Sequence, residues 1–157
     1  GFTLMELMIS TAILAIIAAL AAPLYGDSEI LRLHAAERLL RSDLEHTQIL
    51  AITHPEEEYV LVIHEDGTGW HIATSSDTQT PVLESISQDP LLLTIGLGRG
   101  MPAEGVSLTT NAADNLIAFD PNGGLAEFTT ETTITLSIGG SNGIMSIAAS
   151  TGTLQYD

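Results

Sequence analysis

The sequence predicts an α+β fold in which one long N-terminal α-helix packs on an antiparallel, β-rich globular head. Apolar residues recur at helical spacing over residues 2–52, whereas from residue 59 short apolar runs are separated by turn signals about every eight to twelve residues. We therefore divide the chain into a hydrophobic helix over residues 1–27, an amphipathic helix over residues 28–54 and a β-rich head over residues 55–157.

The first part of the helix is apolar. Residues 7–26 contain no charged side chain, and a helix of that length spans about 30 Å, the thickness of a bilayer's hydrocarbon core. Pro23 has no N–H and disfavours helix in the residue before it, so we expect a kink or a break within residues 18–27. Such a helix belongs either in a membrane or in the core of a filament of identical helices.

The second part of the helix is amphipathic. Its polar face offers Glu37 with Arg41, and Arg41 with Glu45, at the i,i+4 spacing that supports a helix. Its apolar stripe is expected to dock on the head. The stripe consists of Leu33, Ala36, Leu40, Leu44 and Ala51.

A hairpin is the clearest signal in the head. Residues 59–65 lead into the turn pair Asp66-Gly67, and residues 68–74 return. A two-residue turn there places Ile63 opposite Trp70. Further strands are predicted over residues 91–97, 106–110, 116–119, 134–138, 144–149 and 153–156, with a short one at 81–83.

Composition restricts the partners of the chain. Four Arg and no Lys stand against twenty Asp and Glu, which gives a net charge of −16. Such a surface repels nucleic-acid phosphates, so no nucleic acid is expected as a partner. Salt or divalent cations are expected to relieve repulsion between neighbouring copies. The chain has no Cys, so it has neither disulfides nor thiolate metal sites.

The N-terminus resembles that of the type IV pilin and type II secretion pseudopilin superfamily. Residues 1–7 read Gly-Phe-Thr-Leu-Met-Glu-Leu, and Pro23 and Tyr25 stand where type IV pilins often carry them. The resemblance implies that a prepilin peptidase cuts after Gly1 and that Phe2 becomes the N-methylated first residue. It also implies a precursor in the inner membrane, which an assembly machinery moves into a homo-oligomeric helical filament in the periplasm or at the cell surface.

Glu6 has two compatible interpretations. Thr3 and Glu6 have the spacing of a capping box, in which each side chain satisfies an N-terminal backbone N–H of the helix. Alternatively, the carboxylate pairs with the N-terminal amine of Phe2 on a neighbouring subunit, because each charge would be costly alone in an apolar core. We expect Phe2, Glu6 and Pro23 to be the residues that matter most for assembly.

The last third of the chain is similar to the head of the GspH/FimT group of minor pilins and pseudopilins. Residues 119–124 read Phe-Asp-Pro-Asn-Gly-Gly, a Thr-rich strand pair follows, and residues 150–152 read Ser-Thr-Gly after Ile147. Members of the group often end with basic residues after this last turn. Residues 153–157 here read Thr-Leu-Gln-Tyr-Asp, so the resemblance does not imply a role in DNA uptake.

No metal site is predicted. The two candidate oxygen-rich segments for calcium, residues 56–58 and 120–123, lack the spacing of an EF-hand loop. In the hairpin register His71 faces Val62 and His64 faces Gly69, and no histidine pair has the spacing of a helical zinc site. We interpret the histidines as surface residues. They are His34, His46, His54, His64 and His71.

No catalytic residue or cofactor is predicted either, because the sequence has neither a nucleophile elbow nor a phosphate-binding glycine loop. We expect a structural subunit of a type IV pilus-like or pseudopilus filament that polymerises through its hydrophobic helix. Two alternatives stay open. One is a minor, tip-located pseudopilin of a type II secretion system, and the other is a membrane-anchored binding or adhesion module.

Overall fold

A computed structural model describes residues 3–21, 28–126 and 131–156 and confirms the predicted α+β class. Within these residues, two α-helices precede eight strands, with a 3₁₀ helix over Gly98–Ala103 between the third and fourth strands. The helices are α1 (Leu4–Ala21) and α2 (Ser28–Thr53). The strands are β1 (Tyr59–Ile63), β2 (Gly69–Thr74), β3 (Leu92–Thr94), β4 (Ser107–Thr110), β5 (Leu116–Ala118), β6 (Thr132–Ile138), β7 (Ser141–Ile147) and β8 (Leu154–Tyr156).

In the described residues, the predicted N-terminal helix corresponds to the two helices α1 and α2. The predicted kink at Pro23 lies outside the described residues, as do Gly1, Phe2 and Tyr25. Among the helices that are described, none combines the length and the apolar character required to cross a membrane. The predicted span over residues 7–26 extends past the end of α1, and its place in a membrane stays a prediction.

The amphipathic character of α2 is confirmed. All five residues of the predicted stripe are buried, and three of them are completely inaccessible: Ala36, Leu40 and Leu44. Arg41 and Glu45 form the expected ion pair, with Nε and Oε1 2.8 Å apart. The expected pair of Glu37 with Arg41 is wrong, because Glu37 lies on the buried side of α2 and contacts head residues there.

The head consists of two antiparallel sheets. The first has the strand order β3-β2-β1-β5 and the second the order β4-β6-β7-β8. Helix α2 packs against β1 of the first sheet and against β6 and β7 of the second. The apolar stripe of α2 therefore enters one core shared by both sheets, which includes Trp70, Ile117, Leu136 and Ile147.

The hairpin has the predicted register but a different turn. Ile63 pairs with Trp70 and Val62 with His71. The turn is closed between Gly67 N and His64 O at 2.9 Å, so the expected two-residue loop is wrong. Gly67 adopts a φ of +69°, which favours glycine, and the Asp66 carboxylate accepts the N–H of Thr68 at 3.0 Å. The Asp-Gly pair thus directs the turn without being its two central residues.

Two other strand predictions need correction. The strand expected over residues 91–97 is confined to β3, because Gly96 and Gly98 have positive φ values and turn the chain away. The short strand expected over residues 81–83 is reduced to a single bridge between Leu83 and Pro90. The remaining predicted strands are present with boundaries shifted by a few residues.

Candidate functional site

The start of α1 is a capping box. The N–H of Thr3 donates to Glu6 Oε2 at 3.0 Å, and the Thr3 hydroxyl donates to the same oxygen at 3.1 Å. In return, the N–H of Glu6 donates to Thr3 Oγ1 at 3.2 Å. The predicted capping role of Glu6 is therefore confirmed. A carboxylate has lone pairs for several donors, so capping leaves it able to accept a charged partner as well.

The polar side chains that follow on α1 are satisfied within the helix. Ser10 Oγ donates to the carbonyl of Glu6 at 2.8 Å. Thr11 Oγ1 lies 3.0 Å from the carbonyls of Leu7 and Met8. Each hydroxyl therefore donates its hydrogen to a carbonyl of its own helix and needs no acceptor from another element. Serine and threonine do the same in helices that face an apolar environment. These hydrogen bonds were not predicted from the sequence.

The described side chains of α1 are exposed along the whole of residues 3–17. Leu4 keeps 79% of its surface accessible and Leu14 keeps 64%, whereas the stripe residues of α2 are buried. A continuous apolar surface of this size is typical of a contact surface, because a lone soluble chain does not leave it in water. Its large members are Leu4, Met5, Leu7, Met8, Ile9, Ile13, Leu14, Ile16 and Ile17.

The two head motifs lie side by side. In the first, the Asp120 carboxylate accepts the backbone N–H groups of Asn122 at 2.7 Å and Gly124 at 3.0 Å, which closes the turn. The N–H of Leu125 then donates to the carbonyl of Ala149 at 2.9 Å, just before the second motif. The Asp120 oxygen that was considered for calcium is thus a turn acceptor.

Gln48 of α2 connects both motifs. Its Nε2 donates to the carbonyl of Gly123 at 2.6 Å and approaches that of Thr151 at 3.4 Å. Gly152 has a φ of +63°, and a Cβ built on it would stand 2.1 Å from the Gly123 carbonyl oxygen. Close approach therefore requires glycine at this position. Gln48 was not predicted as a contact residue, because in the sequence it is only a polar residue near the apolar stripe of α2.

Two acidic residues of α2 are buried against the head. Asp43 binds Arg99 through both carboxylate oxygens, at 2.9 and 2.6 Å. Glu37 accepts a short hydrogen bond from the Tyr156 hydroxyl, and its other oxygen lies 2.9 Å from His34 Nδ1. Burial, followed by the bond to Glu37, raises the pKa of Tyr156 to about 12. Both carboxylates fix α2 to the head.

The interpretation of all histidines as surface residues is wrong for His71, which is only 7% exposed. The hairpin brings His71 Nδ1 to within 3.1 Å of His64 Nε2. His34 instead pairs with Glu37, and His54 lies beside Thr53. Across the described residues, no group of three or more His, Asp or Glu side chains is arranged to hold a metal ion.

Comparison with known proteins gives no matching family model and no matching curated sequence. Among solved structures, the crystal structure of the type IV minor pilin FimU from Pseudomonas aeruginosa aligns over 79% of this chain and 90% of its own, at 22% identity and a TM-score of 0.52. The chain has the pilin fold. A second crystal form of FimU aligns with this pilin fold at 24% identity over 79% of the chain and 86% of its own, with a TM-score of 0.53.

The minor pseudopilin EpsH from the Type 2 Secretion System of Vibrio cholerae has the same fold. It aligns over 81% of this chain and 95% of its own, at 14% identity and a TM-score of 0.52. The resemblance predicted from the N-terminal and GspH/FimT-like motifs is therefore confirmed at the level of the fold.

Proposed function

We propose that the chain is a structural subunit of a type IV pilus-like or pseudopilus filament. The apolar side chains of α1 carry this proposal, because they stay exposed while every predicted apolar position of α2 is buried. Copies of α1 packed together would remove this surface from water at about 25 cal/mol per Å². The pilin fold of the head supports the same conclusion.

The hydroxyl groups of α1 make a dry helix bundle feasible. Ser10 and Thr11 already use their donors within the helix, so burying them leaves no donor unsatisfied. Glu6 is the one charged residue of α1, and it requires a cationic partner in such a bundle. In this proposal the N-terminal amine of Phe2 on the next subunit supplies that partner.

Processing and location follow from the same proposal. The precursor resides in the inner membrane with residues 7–26 in the bilayer, and the prepilin peptidase cuts after Gly1. Phe2 is then methylated, and the assembly machinery transfers the subunit to a filament in the periplasm or at the cell surface. Pro23 allows the apolar helix to adapt to its neighbours in the polymer.

Three substitutions separate capping from pairing at Glu6. Glu6→Gln keeps a side-chain carbonyl for the Thr3 N–H but removes the charge, Glu6→Ala removes both, and Thr3→Ala weakens the cap but keeps the charge. We expect both Glu6 variants to insert in the membrane with a folded head and to yield few filaments, whereas Thr3→Ala assembles. Normal filament yield from Glu6→Gln would reject the pairing role.

The position of the subunit in the filament is a separate question, and the neighbours favour a minor subunit. FimU and EpsH are both minor components by name, and their heads share this fold. A minor subunit is expected to be sparse and near a filament end, whereas a principal subunit lines the shaft. Quantitative mass spectrometry of sheared filaments distinguishes the two.

An anchored binding module is the other alternative. It would be favoured if cells with Glu6→Ala formed no filaments but the variant still bound its ligand fully at the cell surface.

A further inference from the structure

His64 and His71 form a pair on one face of the β1–β2 hairpin. The register that sets Val62 opposite His71 places the two imidazoles diagonally across the strands. His64 Nε2 and His71 Nδ1 are 3.1 Å apart, and the ring centroids are 5.3 Å apart. The two histidines are seven positions apart in sequence, whereas the helical zinc motif places its histidines four positions apart.

A backbone carbonyl fixes the tautomer of His71. His71 Nε2 lies 2.9 Å from the carbonyl oxygen of Thr78, which can only accept. Nε2 therefore carries the proton, and Nδ1 of the neutral ring presents its lone pair to His64. Histidines that bind metals typically donate their second ring N–H to a carbonyl or carboxylate in this way. His71 is thus already oriented as a ligand.

The pair opens onto a cavity of about 710 Å³ with an acidic rim. Glu65, Asp66 and Asp114 also line it, which favours entry of cations.

We propose that His64 and His71 bind a divalent transition-metal ion such as Ni²⁺, Cu²⁺ or Zn²⁺, through Nε2 and Nδ1 respectively. Two imidazole nitrogens at about 2.0–2.1 Å from one ion are about 2.9–3.3 Å apart, and the observed separation lies in that range. In the free protein, His64 Nε2 donates its hydrogen to His71 Nδ1, so on binding the partly buried His64 carries its proton on Nδ1 instead and turns its Nε2 lone pair toward the ion. Water completes the coordination, because the described residues provide no third ligand in place.

The donor set selects the class of ion. Imidazole suits nickel, copper and zinc, whereas calcium and magnesium require oxygen ligands. The site is distinct from the filament-forming helix, since both ligands and the cavity belong to the head. The proposal therefore goes beyond filament assembly and does not depend on it.

The test uses the full chain in mild detergent, with isothermal titration of NiCl₂ and thermal melting at submillimolar NiCl₂. We expect binding and a raised Tm. His64→Gln and His71→Gln should each weaken binding at least about tenfold, since loss of an outer-shell partner alone costs that much. His46→Gln is the matched control, because His46 lies on α2 and not at the cavity. CaCl₂ should change the Tm of the two histidine variants by the same amount as the Tm of wild type.

Spectroscopy guards against a variant that fails to fold. In the unmodified chain, Zn²⁺ should shift the imidazole NMR signals of His64 and His71 and leave those of His46 in place. Absence of nickel binding, equal binding by both cavity variants and wild type, or zinc-induced shifts confined to other histidines would overturn the proposal.

Discussion

Asp43 accepts a hydrogen bond from the indole Nε1 of Trp70 at 2.7 Å, and both side chains are buried. Trp70 is completely inaccessible, so its N–H has no solvent alternative. The same carboxylate binds the Arg99 guanidinium through both oxygens. One carboxylate of α2 thereby connects the helix to β2 and to the 3₁₀ helix that contains Arg99.

Asp43→Ala is expected to lower the free energy of unfolding by about 3 kcal/mol, because it leaves the buried indole N–H unsatisfied and removes the partner of Arg99. Arg99 is 46% exposed and can rehydrate, which keeps the loss below that of a fully buried pair. Urea denaturation followed by the fluorescence of Trp70, the one tryptophan of the chain, measures it.

Arg41→Ala serves as the control for this prediction. It breaks the pair with Glu45 on the same helix, where the two side chains are 59% and 50% exposed. Exposed pairs contribute little, so the expected loss is within about 0.5 kcal/mol. Equal losses for the two variants would show that burial of the Asp43 pair contributes nothing.

Gly152→Ala tests the junction between the two head motifs. The new Cβ would stand 2.1 Å from the Gly123 carbonyl oxygen and 2.5 Å from Gln48 Nε2. The chain must move there, which breaks the bonds that Gln48 makes. Gly98→Ala is the matched control, because Gly98 also has a positive φ, of +52°, yet a Cβ on it meets nothing within 4 Å.

We expect Gly98→Ala to cost about 1 kcal/mol from backbone strain alone, and Gly152→Ala to cost at least about 2 kcal/mol more. The difference between the two midpoints of urea unfolding isolates the clash from the strain. If the two variants unfold at the same urea concentration, the contact between the motifs is not a stabilising one.

The features that the sequence predicted correctly depend on local patterns, namely periodicity, turn signals and capping motifs. The apolar stripe of α2 repeats every three or four residues, and the hairpin register follows from one turn signal, so neither needs knowledge of distant residues. The strand predicted over residues 91–97 was too long, because apolar residues continue where the backbone turns away at Gly96 and Gly98.

Polar contacts between distant segments could not be predicted in the same way. Asp43 and Gln48 resemble solvent-facing residues of an amphipathic helix, and their partners are 27 or more residues away. His64 and His71 meet diagonally across the strands, so their contact depends on the shared side-chain face and does not follow from the directly opposed residues alone. Burial of polar side chains is decided by tertiary packing, which leaves little trace in the periodicity of one helix.

Tyr156→Phe is expected to lower the stability of the head by about 1 kcal/mol at neutral pH, since Glu37 loses the hydroxyl donor from β8. The pKa of Tyr156 is raised to about 12 from 10.0. The stabilising contribution is therefore fully present below pH 10 and is lost as the pH rises through about 12.

The difference in stability between wild type and Tyr156→Phe should accordingly shrink above pH 10 and vanish near pH 12. Tyr59 also has its pKa raised to about 12, by its bond to Glu57, and it is unchanged in both proteins, so its titration cancels in the comparison. A difference that stays constant across this range would mean that the hydroxyl of Tyr156 contributes by packing rather than as a donor.

Electrostatic repulsion between neighbouring heads is expected to make filament stability depend on salt. Every acidic residue except Glu6 follows residue 26, so nearly all of the net charge of −16 belongs to segments that would stand side by side in the proposed filament. Like charges on neighbouring heads interact over about 8–10 Å at moderate salt. We therefore expect filaments to resist heat or shear better in added NaCl or millimolar CaCl₂ than in low salt with chelator.

Ionic strength and calcium can be separated by matching NaCl to CaCl₂ at equal ionic strength. Equal stabilisation identifies screening, whereas a larger effect of calcium identifies bridging carboxylates, for which the exposed residues 56–58 are candidates. Indifference to both salts would mean that the acidic side chains of adjacent heads never approach within a Debye length.

The same charge opposes the binding of duplex DNA at physiological salt, because only four Arg side chains are present to release counterions from phosphates. Tight DNA binding in a gel-shift assay would therefore contradict the electrostatic argument as a whole.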